Sequence, residues 1–277
     1  MLFQKNVDLG PALKISPWRK IAIATWRTVG DPSVYGYMDV EAEPALAYIE
    51  KLKEKTGLRI TMSHYAGKVF AEAYKRHPGL NCILRFGKLY PRNTIDIFFQ
   101  VATDKKGEDL SGMVVRDADK KSVAEIAQVM EARVKSIRDK TDTSYTQMKN
   151  LMRWVPALLV RPVVDFTGFL MYALNLWSPL LGVPRDSFGT LMITNIGSLG
   201  MHTAFAPIVP YSHVPCLCAL GGVTETPVVR NGQIVVGKML RMNFTFDHRL
   251  IDGMEGSQMA KTLREIFTNP EKEFGES

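Results

Sequence analysis

The chain has 277 residues, of which 46% are hydrophobic and 23% are charged. These values are typical of soluble globular proteins and exclude disordered and fibrous classes. The net charge is +7, but no run of five or more like charges occurs, which argues against a nucleic-acid-binding arm. A diffuse positive field favours anionic small molecules instead. Three cysteines are too few for a secreted disulfide framework, so we expect a reducing, cytoplasmic location.

The first half of the chain mixes predicted helices and strands. The helix that starts at Glu43-Pro44 is expected to end at Gly57, because glycine suits the position after a helix, and Ala45, Ala47 and Ile49 are among its predicted buried residues. In chain order, the predicted elements are an extended segment at 1–17, helices at 18–27, 43–57 and 61–77, strands at 34–40, 95–102 and 113–115, and a helix at 122–138.

Short strands dominate the predictions for the second half. Asn231-Gly232 lies between two apolar runs and is a strong hairpin signal. Cys216 and Cys218 share one face of an apolar strand, so we expect them in the core. The predicted elements are strands at 191–194, 216–220 and 239–246, a hairpin with two short strands over 228–236, and a closing helix at 254–267. Because strands and helices do not alternate strictly, the chain is predicted to be a single α+β domain over 1–277.

The segment from Thr245 to Gly253 reads TFDHRLIDG and holds the strongest candidate for chemistry. His248 stands at the end of a predicted strand, and imidazole is well matched to proton transfer near neutral pH. Asp252 follows four residues later and could orient the loop or the ring, while Gly253 allows a tight turn. This spacing by itself also arises by chance, so a purely structural role is the alternative.

The same segment resembles the signature of the catalytic domain of the dihydrolipoamide acyltransferases of 2-oxo acid dehydrogenase complexes. Chloramphenicol acetyltransferase shares that fold. Four further segments resemble the family in the same order, namely SPWRKIAIATW at 16–26, HPGLN at 77–81, FGTLMITNIGSLGMHTAFAPIVP at 188–210 and CLCALGGV at 216–223. The resemblance implies an α+β fold, with helices packed on a mixed β-sheet, that forms trimers.

The resemblance also implies roles for individual residues. His248 would be the general base that takes the proton from a thiol or hydroxyl acceptor. Thr194 occupies the place of the family's serine, whose hydroxyl donates to the oxyanion; a strand hydroxyl satisfied by the backbone is the alternative. Asp252 would pair with Arg19 to hold the catalytic loop, unless Arg19 is only a surface charge. Asn195 and Gly253 would support these residues structurally, in a site between the subunits of a homotrimer.

The substrates follow from the same resemblance. Coenzyme A or an acyl-CoA is expected as cosubstrate, and no metal is expected, because the other histidines lack metal-ligand spacing. We expect no lipoyl domain before the catalytic region, so a lipoylated or other acyl-carrying partner would act in trans. The polar C-terminus NPEKEFGES lacks an apolar anchor, so we expect an isolated trimer.

Residues 151–184 are predicted to be an apolar insertion relative to the family. Residues 166–184 contain no charge over 19 residues, which reaches the length of a membrane span, but polar residues dilute the segment. We expect a helical pair that packs on the trimer or covers the acyl tunnel. Contact with a membrane surface through Trp154 and Trp177 is the alternative.

Two other function classes remain open from the sequence. One is a catalytically inactive trimeric scaffold, which the threonine in place of serine and the expected absence of a lipoyl arm suggest. The other is a membrane-associated binding subunit, which the apolar insertion at 151–184 suggests. The presence of both His248 and Asp252 favours the acyltransferase, because a scaffold requires neither.

Overall fold

The computed structural model describes residues 4–14, 16, 32–102, 110–138, 156–181 and 183–275. The strands are β1 (Gln4–Lys5), β2 (Ser33–Glu41), β3 (Cys82–Arg85), β4 (Lys88–Pro91), β5 (Ile97–Ala102), β6 (Leu110–Val115), β7 (Leu176–Trp177), β8 (Leu191–Asn195), β9 (Cys216–Arg230) and β10 (Gln233–Asp247). The helices are α1 (Glu43–Thr56), α2 (Met62–Arg76), α3 (Val123–Arg138), α4 (Ala157–Gly168), α5 (Gly253–Thr268) and α6 (Pro270–Phe274). The helix predicted at 18–27 lies outside the described residues.

A mixed sheet forms the centre of the described part of the chain. Its strand order is β2-β10-β9-β8-β5-β6. The β9–β8 and β8–β5 pairs are parallel, and the other pairs are antiparallel. Helices pack against this sheet, which confirms the predicted α+β class with a mixed sheet.

The four short strands predicted between 216 and 246 are two continuous strands of 15 residues each, β9 and β10. Their glycines do not end the strands but allow close packing: a Cβ on Gly221 would lie 2.5 Å from the carbonyl oxygen of His202. The predicted hairpin is confirmed. Asn231 and Gly232 both have positive φ, 52° and 78°, as the two central residues of a type I′ turn require.

The helices carry the signals that the sequence predicts at their ends. Gly57 ends α1 in the left-handed conformation, with φ 67°, as predicted. Ala45 and Ile49 of α1 are buried, but the expectation for Ala47 was wrong, since this residue is exposed. Tyr48 occupies the buried stripe instead.

Two apolar layers lie on the two faces of the sheet. The larger core lies under α1, α2, α3 and α5 and contains Cys216 and Cys218, as predicted. Helix α2 approaches the sheet closely at Gly67, where a Cβ would lie 2.4 Å from the Phe99 ring. A smaller cluster includes Phe98, Met192 and Leu217 of β5, β8 and β9, against which Ala204 and Ile208 pack.

The predicted helical pair in the insertion was wrong for residues 156–181. Helix α4 continues into a π-helical turn, Phe169–Ala173, and the chain then turns at Asn175, which has φ 57°. The Asn175 side chain accepts a hydrogen bond from the Val7 amide at 2.6 Å and donates one to the Val7 carbonyl at 2.9 Å. These bonds explain why β7 pairs with β1 rather than continuing as helix. No helix among the described residues is long and apolar enough to cross a bilayer.

A buried ion pair joins the end of the insertion to the sheet domain. The Arg92 guanidinium donates to the Asp186 carboxylate at 2.6 Å, and the two side chains are only 2% and 7% exposed. The Asp186 amide also donates to the Asn6 side chain at 2.9 Å. The pair therefore ties the N-terminal segment, the β4 end and residue 186 together.

We predict that Asp186→Ala lowers the free energy of unfolding by about 3–5 kcal/mol, because it leaves the buried Arg92 charge without its counterion. Urea denaturation followed by circular dichroism measures this loss. Asp117→Ala is the matched control, because it breaks the exposed Lys120–Asp117 pair and, like Asp186→Ala, places alanine at a residue with positive φ. It should cost no more than about 2 kcal/mol. Equal losses in the two variants would contradict the prediction.

Candidate active site

His248 lies in a tight turn between β10 and α5. Its amide donates to the Pro32 carbonyl at 2.9 Å, and the amides of Leu250 and Ile251 donate to the Asp247 carbonyl. Leu250 and Ile251 are 6% and 5% exposed and belong to the larger core. Because the turn is held at the backbone and anchored on both sides, the half-buried imidazole has a defined position.

The residues on either side of His248 form an ion pair within the turn. The Arg249 guanidinium donates to the Asp247 carboxylate, with the shortest contact at 2.6 Å, and the Arg249 amide donates to the same carboxylate at 2.9 Å. Asp247 is 8% exposed. No role was predicted for Asp247 or Arg249 from the sequence, although both lie within the same motif. They help to fix the backbone on each side of the imidazole.

Asp252 is the N-cap of α5. Its carboxylate accepts hydrogen bonds from the amides of Met254, at 3.0 Å, and Glu255, at 3.1 Å, while the Glu255 carboxylate accepts from the Asp252 amide at 2.9 Å. This reciprocal pattern is a capping box. It fixes the point where the turn enters the helix. Arg19, its predicted partner, lies outside the described residues, so the pair stays a prediction.

Two variants of Asp252 separate its capping role from the predicted ion pair. Asp252→Ala should lower the free energy of unfolding by about 1 kcal/mol, whereas Asp252→Asn should leave it nearly unchanged, because asparagine caps helices as well as aspartate does. If the negative charge also holds the turn, acyl transfer falls in both variants. Full activity in a stable Asp252→Asn variant would contradict the ion-pair role. Chemical denaturation and a thiol-release assay measure the two effects.

The predicted tight-turn role of Gly253 is not what the structure shows. Gly253 is the first residue of α5, and its φ is not positive. A Cβ at this position would meet nothing within 4 Å in the described chain. Glycine is therefore not required there for backbone conformation or for packing within the described part of one protomer.

Thr194 and Asn195 lie at the end of β8. Successive side chains of a strand point to opposite faces, so Thr194 shares the face of Met192, away from the large core. Asn195 faces the helices and donates to the Ser63 hydroxyl at 3.1 Å, near the start of α2. Its side-chain oxygen accepts from the Ser198 amide at 3.1 Å. Asn195 thus connects β8 to α2 and to the following turn.

Two histidines outside the signature, His64 and His213, lie in structural positions. His64 is the N3 residue of α2 and its Nδ1 accepts from the Thr61 amide at 3.2 Å, closing a capping box. Burial, with a smaller contribution from Arg59, lowers the pKa of His64 to about 4. His213 stacks on the Tyr172 ring with centroids 4.6 Å apart. No cluster of potential metal ligands occurs among the described residues.

One protomer does not bring Thr194 and His248 together. Thr194 is paired with Ala219 of β9, and Ala219 is paired with Asn243 of β10. His248 lies five residues further along from Asn243 and two strands away from Thr194. With a rise of about 3.3 Å per residue and about 4.8 Å between strands, the two residues are about 19 Å apart. A single protomer cannot place both side chains on one reacting carbon.

The fold and the signature turn define an acyltransferase catalytic domain, and comparison with family models agrees. The model of the 2-oxoacid dehydrogenases acyltransferase (catalytic domain) matches residues 13–151 and 186–274. The two matched stretches include β8 and the turn of His248 and leave residues 152–185 between them. The chain therefore belongs to this family.

Curated relatives carry the same family names. The chain is 27% identical over 240 residues to the dihydrolipoyllysine-residue succinyltransferase component of the 2-oxoglutarate dehydrogenase complex of Haemophilus influenzae. It is 26% identical over 238 residues to the acetyltransferase component of the pyruvate dehydrogenase complex of Staphylococcus epidermidis. Both alignments cover 84% of this chain, and they cover 47% and 45% of the relatives. The alignments thus span about half the length of the curated relatives.

Solved structures show the same fold at low sequence identity. A protein from Listeria monocytogenes, described as a probable dihydrolipoamide acetyltransferase, superimposes with a TM-score of 0.65 at 17% identity, covering 97% of each chain. The dihydrolipoamide acetyltransferase of Azotobacter vinelandii gives 0.64 at 18% identity, covering 87% of this chain and 83% of that one. Work on its mechanism concerned a serine, a histidine and an asparagine four residues after that histidine.

Proposed function

We propose that this protein transfers an acyl group between a thioester and a thiol, with His248 as general base. The observation that carries the proposal is the turn of His248, held by the Pro32 carbonyl and by the Asp252 capping box within a family acyltransferase domain. A rigid position within reach of substrate is what general-base catalysis requires. The mechanistic residues of the Azotobacter vinelandii enzyme include a histidine and an asparagine with the spacing of His248 and Asp252.

In the proposed reaction, the His248 imidazole takes the proton from the thiol of the acceptor. The resulting thiolate attacks the carbonyl carbon of the acyl thioester and forms a tetrahedral intermediate. The Thr194 hydroxyl donates a hydrogen bond to its negatively charged oxygen. When the intermediate collapses, the carbon–sulfur bond of the original thioester breaks, and the leaving thiolate takes the proton back from the imidazolium. The charge and the number of protons are thereby conserved.

We further propose that the working unit is a homotrimer with its site between protomers. The support is the separation of about 19 Å between Thr194 and His248 in one chain, derived from the strand register. A second protomer could supply the missing group, because a heterologous interface brings different parts of two copies together. His248 of one copy would then act with Thr194 of its neighbour.

The proposed donor is an acyl-CoA, and the proposed acceptor is a dihydrolipoyl group on a partner protein. The relatives are named as dihydrolipoyllysine-residue acyltransferases. The net charge of +7 supports an anionic cosubstrate through its positive field. A cytoplasmic location is part of the proposal, and its support is the cysteine content of the sequence, since three cysteines are too few for a secreted disulfide framework.

A thiol-release assay with acetyl-, succinyl- and hexanoyl-CoA, using dihydrolipoamide as acceptor, tests the proposed activity. Sedimentation analysis of the same preparation tests the trimer. Turnover by a trimer supports both proposals. A folded trimer that neither turns over nor binds CoA would instead support the inactive scaffold, and turnover by a monomer would contradict the shared site.

One observation supports a second role for the insertion. Several of its apolar side chains are exposed, including Leu158 at 87%, Phe166 at 62% and Leu180 at 80%. Exposed apolar surface of this kind marks sites of contact with proteins or membranes. The candidate role is contact with an anionic membrane surface, and co-sedimentation with phosphatidylglycerol vesicles tests it. Loss of sedimentation in Leu158→Ser with Phe166→Ser would support the role, and no sedimentation of the wild type would exclude it.

A further inference from the structure

An apolar cavity of about 190 Å³ lies between the sheet and two helices. Met38 and Phe244 form its sheet side, Phe70 and Tyr74 come from α2, and Leu263 comes from α5. Tyr74 and Leu263 are each 1% exposed, and Phe70 is 2% exposed. The cavity is therefore bounded by well-packed residues of the larger core rather than by side chains of a surface loop.

The lining of the cavity is almost wholly carbon. Its side-chain heteroatoms other than the thioether of methionine are the hydroxyls of Tyr37 and Tyr74 and the thiol of Cys216. Burial raises the pKa of the Cys216 thiol to about 12 and that of the Tyr74 hydroxyl well above its ordinary value, so both groups are neutral at physiological pH. A charged or strongly polar ligand would lose its hydration there without compensation. The ligand that fits is a hydrocarbon.

The cavity adjoins the inner side of the turn that carries His248. Phe246, two residues before His248, and Ile251, three residues after it, both line the cavity. Gly36, Phe246 and Gly256 are only partly buried, whereas Ile251 is 5% exposed. The partly exposed lining residues belong to β2, β10 and α5, so the cavity opens between the edge strand β2 and the start of α5. Its opening is therefore on the side of the catalytic turn.

We propose that this cavity binds the hydrocarbon chain of the acyl group that is transferred. The inference rests on the proposed acyl transfer and adds a substrate class, namely thioesters of medium-length, apolar acids. An apolar cavity of about 150 Å³ accommodates benzene, so 190 Å³ suits an acyl chain of roughly six carbons. The cosubstrate's nucleotide is too polar for the lining, so the hydrocarbon chain of the acyl group is the part of an acyl-CoA that fits the cavity.

The test compares wild-type protein with a variant in which the cavity is filled. Ala260 lines the cavity from α5, and Ala260→Leu adds three carbons there. Gly256→Ala is a milder second variant, because its new Cβ would come no closer than 4.0 Å to Ile251 and Phe246. Gln258→Leu on the exposed side of α5 is the matched control, since Gln258 does not line the cavity.

The first measurement is kcat/KM for acyl-CoA thioesters from two to twelve carbons. The wild type and Gln258→Leu should prefer hexanoyl-CoA over acetyl-CoA by about 10-fold or more, because one methylene in an apolar pocket is worth about 10- to 200-fold. In Ala260→Leu that ratio should fall about 10-fold, and in Gly256→Ala it should fall less. Unchanged ratios in both variants, with acetyl transfer retained, would overturn the inference and leave the proposed function standing.

The second measurement does not depend on turnover. Calorimetric titration should give tighter binding of hexanoyl-CoA than of acetyl-CoA to the wild type, and equal binding of the two to Ala260→Leu. If no acyl-CoA is turned over but this difference in binding is found, the proposed function fails and the cavity remains an acyl-chain site. If chain length has no effect on binding to the wild type, the inference is wrong whatever the activity.

Discussion

Replacing His248 with alanine is expected to lower kcat/KM for acyl transfer about 100- to 10,000-fold, because a positioned general base contributes a factor of that size. The loss should be smaller at high pH, where part of the acceptor thiol ionises without a base. Thiol release from acetyl-CoA with dihydrolipoamide, measured from pH 6 to pH 9, follows both effects.

His77→Gln is the matched control for this experiment. His77 ends α2, and its Nε2 is hydrogen-bonded with the Thr262 hydroxyl at 2.7 Å, outside the signature turn. Its activity should stay at the wild-type level. If His248→Ala retained wild-type turnover while folding and binding CoA normally, His248 would not be the base and another acceptor-activating group would have to be sought.

The second large effect is expected for Thr194→Val. Valine has nearly the same shape as threonine but no hydroxyl, so the variant removes only the proposed oxyanion donor. Loss of one such donor typically lowers kcat about 100- to 1,000-fold. The change should appear in kcat more than in KM, because the donor acts on charge that develops in the transition state.

Thr194→Ser tests the same role by keeping the hydroxyl instead of removing it. Serine keeps the donor and removes the methyl group that restricts its rotation, so activity should equal or exceed that of the wild type. Normal activity in both Thr194→Val and Thr194→Ser would contradict the role of Thr194. A loss in both, together with lower thermal stability, would identify the residue as a structural part of β8.

Mixed trimers distinguish a site shared between protomers from one contained in each protomer. When trimers of His248→Ala and Thr194→Val are dissociated and reassembled together, some interfaces pair an intact His248 with an intact Thr194. If the site is shared, activity should reappear in the mixture, although neither variant is active alone. If both residues acted within one chain, no mixture would regain activity, because every chain lacks one of them.

The elements with strong local signals were predictable from the sequence. Gly57 and Asn231-Gly232 act through backbone conformations that depend on the residue itself, so the end of α1 and the β9–β10 hairpin were placed correctly. The residues of the signature could also be predicted from the sequence, because the motif is defined by residue types in a fixed order along the chain. The capping box of Asp252 also has a local spacing, with Glu255 three residues later.

Other features depend on contacts between distant residues. The strands predicted at 216–220 and 239–246 stop short of Gly221 and Gly237, yet both glycines lie within continuous strands. Each packs where a Cβ would come within 2.5 and 2.7 Å, respectively, of a neighbouring group. In the insertion, apolar composition suggested two helices, but the hydrogen bonds between Asn175 and Val7 stabilise a turn and a short strand. These hydrogen bonds join residues 168 positions apart, and no local pattern predicts them.

The sequence alone determined the α+β class, the family resemblance and the identity of His248, Asp252 and Thr194 as candidates, because these depend on local spacing and residue type. Only the tertiary structure determined how these residues relate in space. The strand register separates Thr194 from His248, and the packing of α2 and α5 on the sheet leaves an apolar cavity beside the catalytic turn. Register and packing arise from contacts between segments far apart in the chain, which is why they could not be derived from the order of the residues.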